Sequence, residues 1–180
     1  MASRMPKRAW IILAIVIIAV AVIVGIALSR SSPNPSDLTL PIITFDETTL
    51  SELEGTPLVL NFWSISCGWC RYQLPFLEDI AQQSEQEVKV IAINMVDNAA
   101  RIQTFFSDYE PAMIIALDKN AKAFVEYCLA YNNTRGSIPF TLFVDSEGIV
   151  QYVKIGAFTS ESQLWDTLNS VFRTTVPQTS

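Results

Sequence analysis

Apolar positions in this chain fall into three kinds of run: one very long stretch, several short blocks, and several helical periods. Ala9 to Leu28 is unbroken and uncharged. Leu40 to Phe45 is short and β-branched, and predicts a strand. Ser51 to Gly55 predicts a short helical turn ended by glycine. Leu58 to Trp63 (Leu-Val-Leu-Asn-Phe-Trp) is nearly all apolar, the pattern of a strand buried on both faces of a sheet. Leu74, Leu77, Ile80 and Ala81 then recur at helical spacing and predict a helix over 69–84. A second buried-type strand is expected over 88–95, an amphipathic helix over 99–107, a brief strand over 114–117 and a helix over 121–130. Phe140 to Val144 and Ile149 to Ile155 flank Asp145-Ser146-Glu147-Gly148, which reads as a β-hairpin. A last helix covers 161–172. Strands alternating with helices, then a hairpin and a helix, predict an α/β domain of three layers over residues 38–176, with 177–180 as a tail.

The long run decides where that domain works. Twenty residues at about 1.5 Å each span roughly 30 Å, the thickness of a bilayer core, so 9–28 reads as a transmembrane helix. Arg4, Lys7 and Arg8 precede it and Arg30 follows. The positive-inside bias puts 1–8 in the cytoplasm and the domain outside. Residues 29–37, polar and containing Pro33 and Pro35, form a short stiff tether. The alternative is a cleaved signal peptide ending at Ala27-Leu28-Ser29, although such apolar cores run about 7–15 residues. Either way the expected location is extracytoplasmic, at the cell membrane. No cysteine lies near the end of the run to carry a lipid.

Charge and composition narrow the chemistry. All 18 acidic residues fall after position 30, against 8 of the 12 basic ones. A surface that acidic does not suit phosphate backbones, so nucleic acid is not an expected partner. The chain contains no histidine, which removes imidazole bases and His-ligated metals. Three cysteines remain: Cys67, Cys70 and Cys128.

Cys67-Gly68-Trp69-Cys70 sits between a predicted strand and a predicted helix. There the first thiol meets unpaired N–H groups and the helix macrodipole, which favour the thiolate. The thiolate is the attacking species in disulfide exchange, so Cys67 is the expected nucleophile. Cys70, one turn in and shielded, is the expected resolving thiol. Half of a zinc site is the poorer reading, because four ligands are required. A purely structural disulfide is the other alternative. No metal and no cofactor beyond the redox-active disulfide is expected.

The block Leu58 to Trp63, the Cys67–Cys70 pair and Pro75 resemble the thioredoxin superfamily, and within it the membrane-anchored TlpA-like and ResA-like branch. Gly136-Ser-Ile-Pro139-Phe140-Thr-Leu-Phe-Val-Asp145 is similar to that family's cis-proline segment. The likeness covers about 40–172. It implies a thioredoxin-like fold with a central mixed β-sheet flanked by helices. It also implies that Pro139 faces the pair, that Ile138 holds an extended substrate by its backbone, and that Trp63 packs near the site. Gly68 and Trp69 would line the same groove, and Pro75 would bend the active-site helix. The implied partners are protein thiols and disulfides outside the cytoplasm, with a membrane electron donor or acceptor. The implied task is reduction, for example of apocytochrome c during haem attachment; disulfide formation is the alternative.

Several positions depart from the family pattern. Ser66 stands where tryptophan is frequent, Gln73 where the ResA-like branch often has an acid, and Asn61 where thioredoxin has a buried aspartate. A proton acceptor for Cys70 would then be water, or Glu78 if it points back. The Gly68-Trp69 dipeptide leaves the direction of electron flow open, since the fold spans roughly 150 mV. A peroxidase lacks its usual Pro-x-x-x-Thr-x-x-Cys setting, copper delivery lacks a histidine, and a redox-inert binding domain is the non-enzymatic alternative. Cys128 reads as a buried helix residue. Asn132-Asn133-Thr134 matches a glycosylation sequon of little specificity, and the Glu78 to Glu87 stretch reads as a solvated helix face.

Overall fold

The computed structural model describes residues 16–20, 53, 55–83 and 88–172. The chain divides into two units, Met1–Ser32 and Pro33–Ser180. Of the expected membrane helix over 9–28, only 16–20 are described, and these are helical and exposed. Among the described residues no helix is long and apolar enough to cross a membrane. The tether, the Leu40–Phe45 strand and the tail lie outside the described residues, as does most of the 51–55 turn.

The second unit holds a five-stranded mixed sheet. Strands β1 (Leu58–Trp63), β2 (Lys89–Asn94) and β3 (Ile114–Leu117) run parallel. Strand β4 (Phe140–Val144) joins the other edge of β1 antiparallel, and β5 (Val150–Ile155) joins β4, giving the order β3-β2-β1-β4-β5. Helix α1 (Gly68–Gln83) follows β1, α2 (Ala99–Phe105) follows β2, a 3-10 turn (Lys119–Ala121) and α3 (Lys122–Ala130) follow β3, and α4 (Glu161–Phe172) closes the unit.

Strand periodicity divides the core into two halves. In β1, Val59 and Trp63 point to the side of Leu74, Leu77, Ile80, Leu164 and Leu168, on α1 and α4. Leu58, Leu60 and Phe62 point to the side of Phe124 and Tyr127, on α3. Every residue of β1 is buried because both faces are covered, which is why its sequence shows no alternation. Phe62 packs its ring 5.5 Å from that of Phe124 and 5.9 Å from that of Phe140.

Local chemistry sets the ends of these elements. Asn98 caps α2 by accepting from the Arg101 N–H at 2.9 Å. The buried Asp118 caps α3 from a distance, accepting from the Ala123 and Phe124 N–H groups at 3.1 and 2.8 Å. Asn120 and Ala121, with φ of 65° and 52°, form the bend between the 3-10 turn and α3. The hairpin forms where Asp145-Ser-Glu-Gly148 predicts it: Asp145 Oδ1 accepts from the N–H groups of Glu147 and Ile149, and Gly148 takes φ +80°. The expected helix over 99–107 ends at Phe105, because Phe106 leaves helical geometry and its N–H closes on Ile102.

Candidate functional site: the cysteine pair at the start of the first helix

Cys67 is the residue before α1, and the Arg71 N–H donates to its carbonyl at 3.1 Å, closing the first helical turn. Its sulfur stands where a capping side chain would. The Cys70 N–H points at Cys67 Sγ, 3.1 Å away. A free backbone N–H and the positive end of a 16-residue helix therefore converge on one sulfur. Cys67 and Cys70 are joined as a disulfide, with Cα atoms 5.2 Å apart. The two sulfurs differ in access: Cys67 is half-buried, whereas Cys70 is 1% exposed and packs against the core beneath α1.

The segment before β4 comes up against the pair. The Ile138–Pro139 peptide bond is cis, and the Ile138 carbonyl oxygen lies 3.9 Å from Cys67 Sγ. Asn133 holds this segment in place. It is buried, accepts the Ser137 N–H and donates to the Ser137 carbonyl, both at 2.9 Å, one residue before Ile138. Sequence reasoning met Asn133 only as the middle of a sequon and missed this role. The bidentate pattern is a tertiary fact with no local signature.

The other expected groove residues separate into two sets. Gly68 and Trp69 are exposed, and Trp69 is 63% accessible. The Trp69 indole meets the Tyr72 ring at 5.8 Å, and Tyr72 meets Phe76 at 5.3 Å, so an aromatic ladder descends α1 from the pair. Ile138 is half-buried and Pro139 buried. Trp63 is fully buried against Phe105 and Phe106, at 5.5 and 5.9 Å, and touches no solvent-facing groove. It belongs to the same buried cluster as Cys70: an indole ending a strand covered on both faces points into the core rather than outward.

Beneath the pair lies a buried polar network with no carboxylate. Asn61 Nδ2 donates to Thr141 Oγ1 at 2.9 Å, and Gln73 Nε2 donates to the same oxygen at 3.2 Å. Gln73 Oε1 accepts the Phe158 N–H at 2.8 Å. The two amides that stand in for acids in the sequence are thus one assembly, tying β1, α1, β4 and the entry to α4. Glu78 does not point back toward Cys70. It is buried two turns further along α1, where its carboxylate accepts the Ala112 N–H at 2.8 Å and the Met113 N–H at 3.4 Å. That corrects the reading of Glu78 as part of a solvated face, because two N–H groups at the start of β3 need an acceptor. Pro75 lies inside α1 on its exposed side, where its ring offers no N–H to the Arg71 carbonyl.

Cys128, the third thiol, is free and buried on α3, on the sheet face away from the pair. Burial pushes its pKa up from the ordinary value, and a hydrogen bond with Asn133 partly offsets this. The folded thiol stays protonated where the unfolded one has begun to ionise. Stability from this group is therefore complete below the unfolded pKa and declines as pH rises toward the folded one. With the pair oxidised, the native protein should show almost no reaction with a thiol reagent at pH 8 and one equivalent after denaturation. Rapid native labelling would show that α3 opens. Among the described residues no group of three or more His, Cys, Asp or Glu is placed to hold a metal ion.

A capped, half-exposed cysteine bonded to a buried one, beside a cis-proline on a mixed sheet, is the construction of the thioredoxin-like thiol–disulfide oxidoreductases. Comparison with known proteins gives the family: the chain belongs to the Redoxin family, whose model matches residues 35–168. It is 28% identical over 117 residues to the thiol-disulfide oxidoreductase ResA of Oceanobacillus iheyensis, covering 63% of this chain and 58% of that protein, less than two thirds of its length. It is 23% identical over 128 residues to the thioredoxin-like protein YneN of Bacillus subtilis, covering 69% and 71%. Among solved structures it is similar in fold to dsbF of MTB (TM-score 0.64, 20% identity, 78% of this chain and 99% of that one). It is likewise similar to StoA from Bacillus subtilis (TM-score 0.58, 21% identity, 71% and 92%).

Proposed function

We propose that this chain is an extracytoplasmic thiol–disulfide oxidoreductase, held at the cell membrane by residues 9–28, that reduces disulfides in protein substrates. The observation that carries the proposal is the asymmetry of the pair: Cys67 is accessible at a helix start and faces Ile138–Pro139, while Cys70 is buried behind it.

In the reduced protein the Cys67 thiolate, stabilised by the Cys70 N–H and the helix start, attacks one sulfur of a substrate disulfide. A mixed disulfide forms and the other substrate sulfur leaves as a thiolate, which takes up a proton. Cys70 then loses its proton and attacks Cys67 Sγ, releasing the second substrate thiol and closing the Cys67–Cys70 bond. Two electrons have passed to the substrate, and a membrane dithiol donor must return them. Gly68, Trp69, Ile138 and Pro139 bound the place where the substrate chain lies, and the Ile138 backbone is positioned to pair with it. ResA-type relatives supply the analogy for the substrate class, with apocytochrome c before haem attachment as the leading case.

The test is capture. With Cys70→Ser the mixed disulfide cannot be resolved, so the full-length variant expressed at its membrane should accumulate reductant-sensitive conjugates. Cys67→Ser should show none. Equal trapping by both variants, or by neither, would remove the assignment of Cys67 as nucleophile. Equilibration with glutathione separates reductant from oxidant: a potential near about −270 mV supports reduction, and one near about −120 mV means disulfide formation.

A further inference from the structure

The turn that presents Cys67 is held from outside by a residue far along the chain. The Cys67 N–H donates to the Ser64 carbonyl at 3.2 Å, closing a four-residue turn. A turn closed this way leaves the N–H of its second residue, Ile65, without a partner inside the turn. Asp97 supplies one: its Oδ2 accepts the Ile65 N–H at 2.8 Å, across 32 positions of sequence.

Asp97 is itself rigidly placed. The same Oδ2 accepts Asn94 Nδ2 at 3.0 Å, and Oδ1 meets the Arg101 guanidinium at 2.7 Å. Asn94 Oδ1 in turn accepts the N–H groups of Val96 and Asp97, at 3.1 and 2.8 Å. The Asp97 side chain is 2% exposed, whereas Arg101 is 60% exposed, so a buried carboxylate is covered on the solvent side by a cation. A carboxylate this buried is costly to desolvate unless its oxygens are satisfied, and here both are occupied. A fully engaged carboxylate therefore connects the end of β2 and the first turn of α2 to the loop two residues before Cys67.

We propose that Asp97 is a positioning residue for disulfide exchange. It holds the Ser64–Cys67 turn so that Cys67 Sγ stays on the Cys70 N–H, and its negative charge helps set how readily Cys67 ionises. The inference rests on the oxidoreductase reading above. Charged groups on the elements around the turn are Asp97 and Arg101, the exposed Arg71 with Glu78 and Asp79 further along α1, and the exposed Arg135 ahead of Pro139.

The test uses the full chain in detergent, with Asp97→Ala and Asp97→Asn beside the wild type. The measurement is the rate constant of the reduced protein with a small aromatic disulfide as a function of pH, together with the thermal midpoint. Asp97→Ala should exchange at least tenfold more slowly with a displaced pH midpoint. Asp97→Asn, which keeps an acceptor for the Ile65 N–H but no charge, should recover to within about threefold of wild type. Its pH midpoint should move down, because the carboxylate held on the loop two residues before Cys67 is then replaced by a neutral amide.

Wild-type rates and midpoint in Asp97→Ala would overturn the proposal. So would equal slowing in both variants with an unmoved midpoint, since that describes a stability role alone. If Asp97→Ala does not fold, the midpoint of Asp97→Asn decides: a downward move supports the proposal and an unmoved one overturns it. Failure of the oxidoreductase reading itself would show separately, as a wild-type protein that does not exchange.

Discussion

Cys67→Ser should reduce disulfide exchange by a protein substrate to the uncatalysed rate, a loss of at least a thousandfold, while leaving the fold intact. The size of the effect follows from access. Cys70 is 1% exposed and packed under α1, so it cannot take over the attack from Cys67. Serine keeps the shape and accepts the Cys70 N–H, but its hydroxyl has no nucleophilic anion at neutral pH. The check is insulin reduction or a comparable turbidity assay with the purified variant, alongside a denaturation curve. Residual activity above about a tenth of wild type would mean that Cys70 reaches substrate, and that the burial of α1 is not kept in the reduced protein.

Thr141→Val should be the most destabilising single change among those that keep side-chain volume. Its hydroxyl oxygen accepts from both Asn61 and Gln73, each of them buried. Valine fits the space and leaves two amide N–H donors with no acceptor. An orphaned buried donor costs about 1–3 kcal/mol, so the pair costs about 2–6 kcal/mol. For a domain of this size that lowers the thermal midpoint by roughly 10 °C. Urea unfolding with an unchanged slope would report it directly. A loss under about 0.5 kcal/mol would mean that water or a rotated amide satisfies both donors. The same substitution separates packing from redox chemistry: the network lies beneath the pair, yet none of its side chains carries a charge at neutral pH.

Much of the fold could be read from periodicity. The buried runs of β1, β2 and β4, the helical spacing in α1, and the Asp145–Gly148 turn are local signals, and the elements fall where those signals put them to within a few residues. The elements that shift do so at their ends. There a cap from Asp118 or an early break at Phe106 depends on one hydrogen bond rather than on a pattern. The roles of Trp63 and Glu78 were not legible in the same way. A tryptophan ending a buried strand and a glutamate in a charged helix each admit two orientations. Only neighbours from other elements, Phe105 and Phe106 for the one and the Ala112 and Met113 N–H groups for the other, choose between them.

Sequence alone determined the pair and its strand–helix setting, because a Cys-x-x-Cys at a helix start carries its chemistry within four residues and one macrodipole, while Pro139 as its partner came only from the family likeness. Position at the helix start also marks Cys67 as the reachable sulfur and Cys70 as the shielded one. Tertiary structure decided that Asn61 and Gln73 share one hydroxyl, and that Asp97 and Asn133 hold the two loops that meet at Cys67. The physical reason is the same in each case. Burial and hydrogen-bond satisfaction are properties of groups brought together from distant positions, and no local stretch of chain encodes its partner.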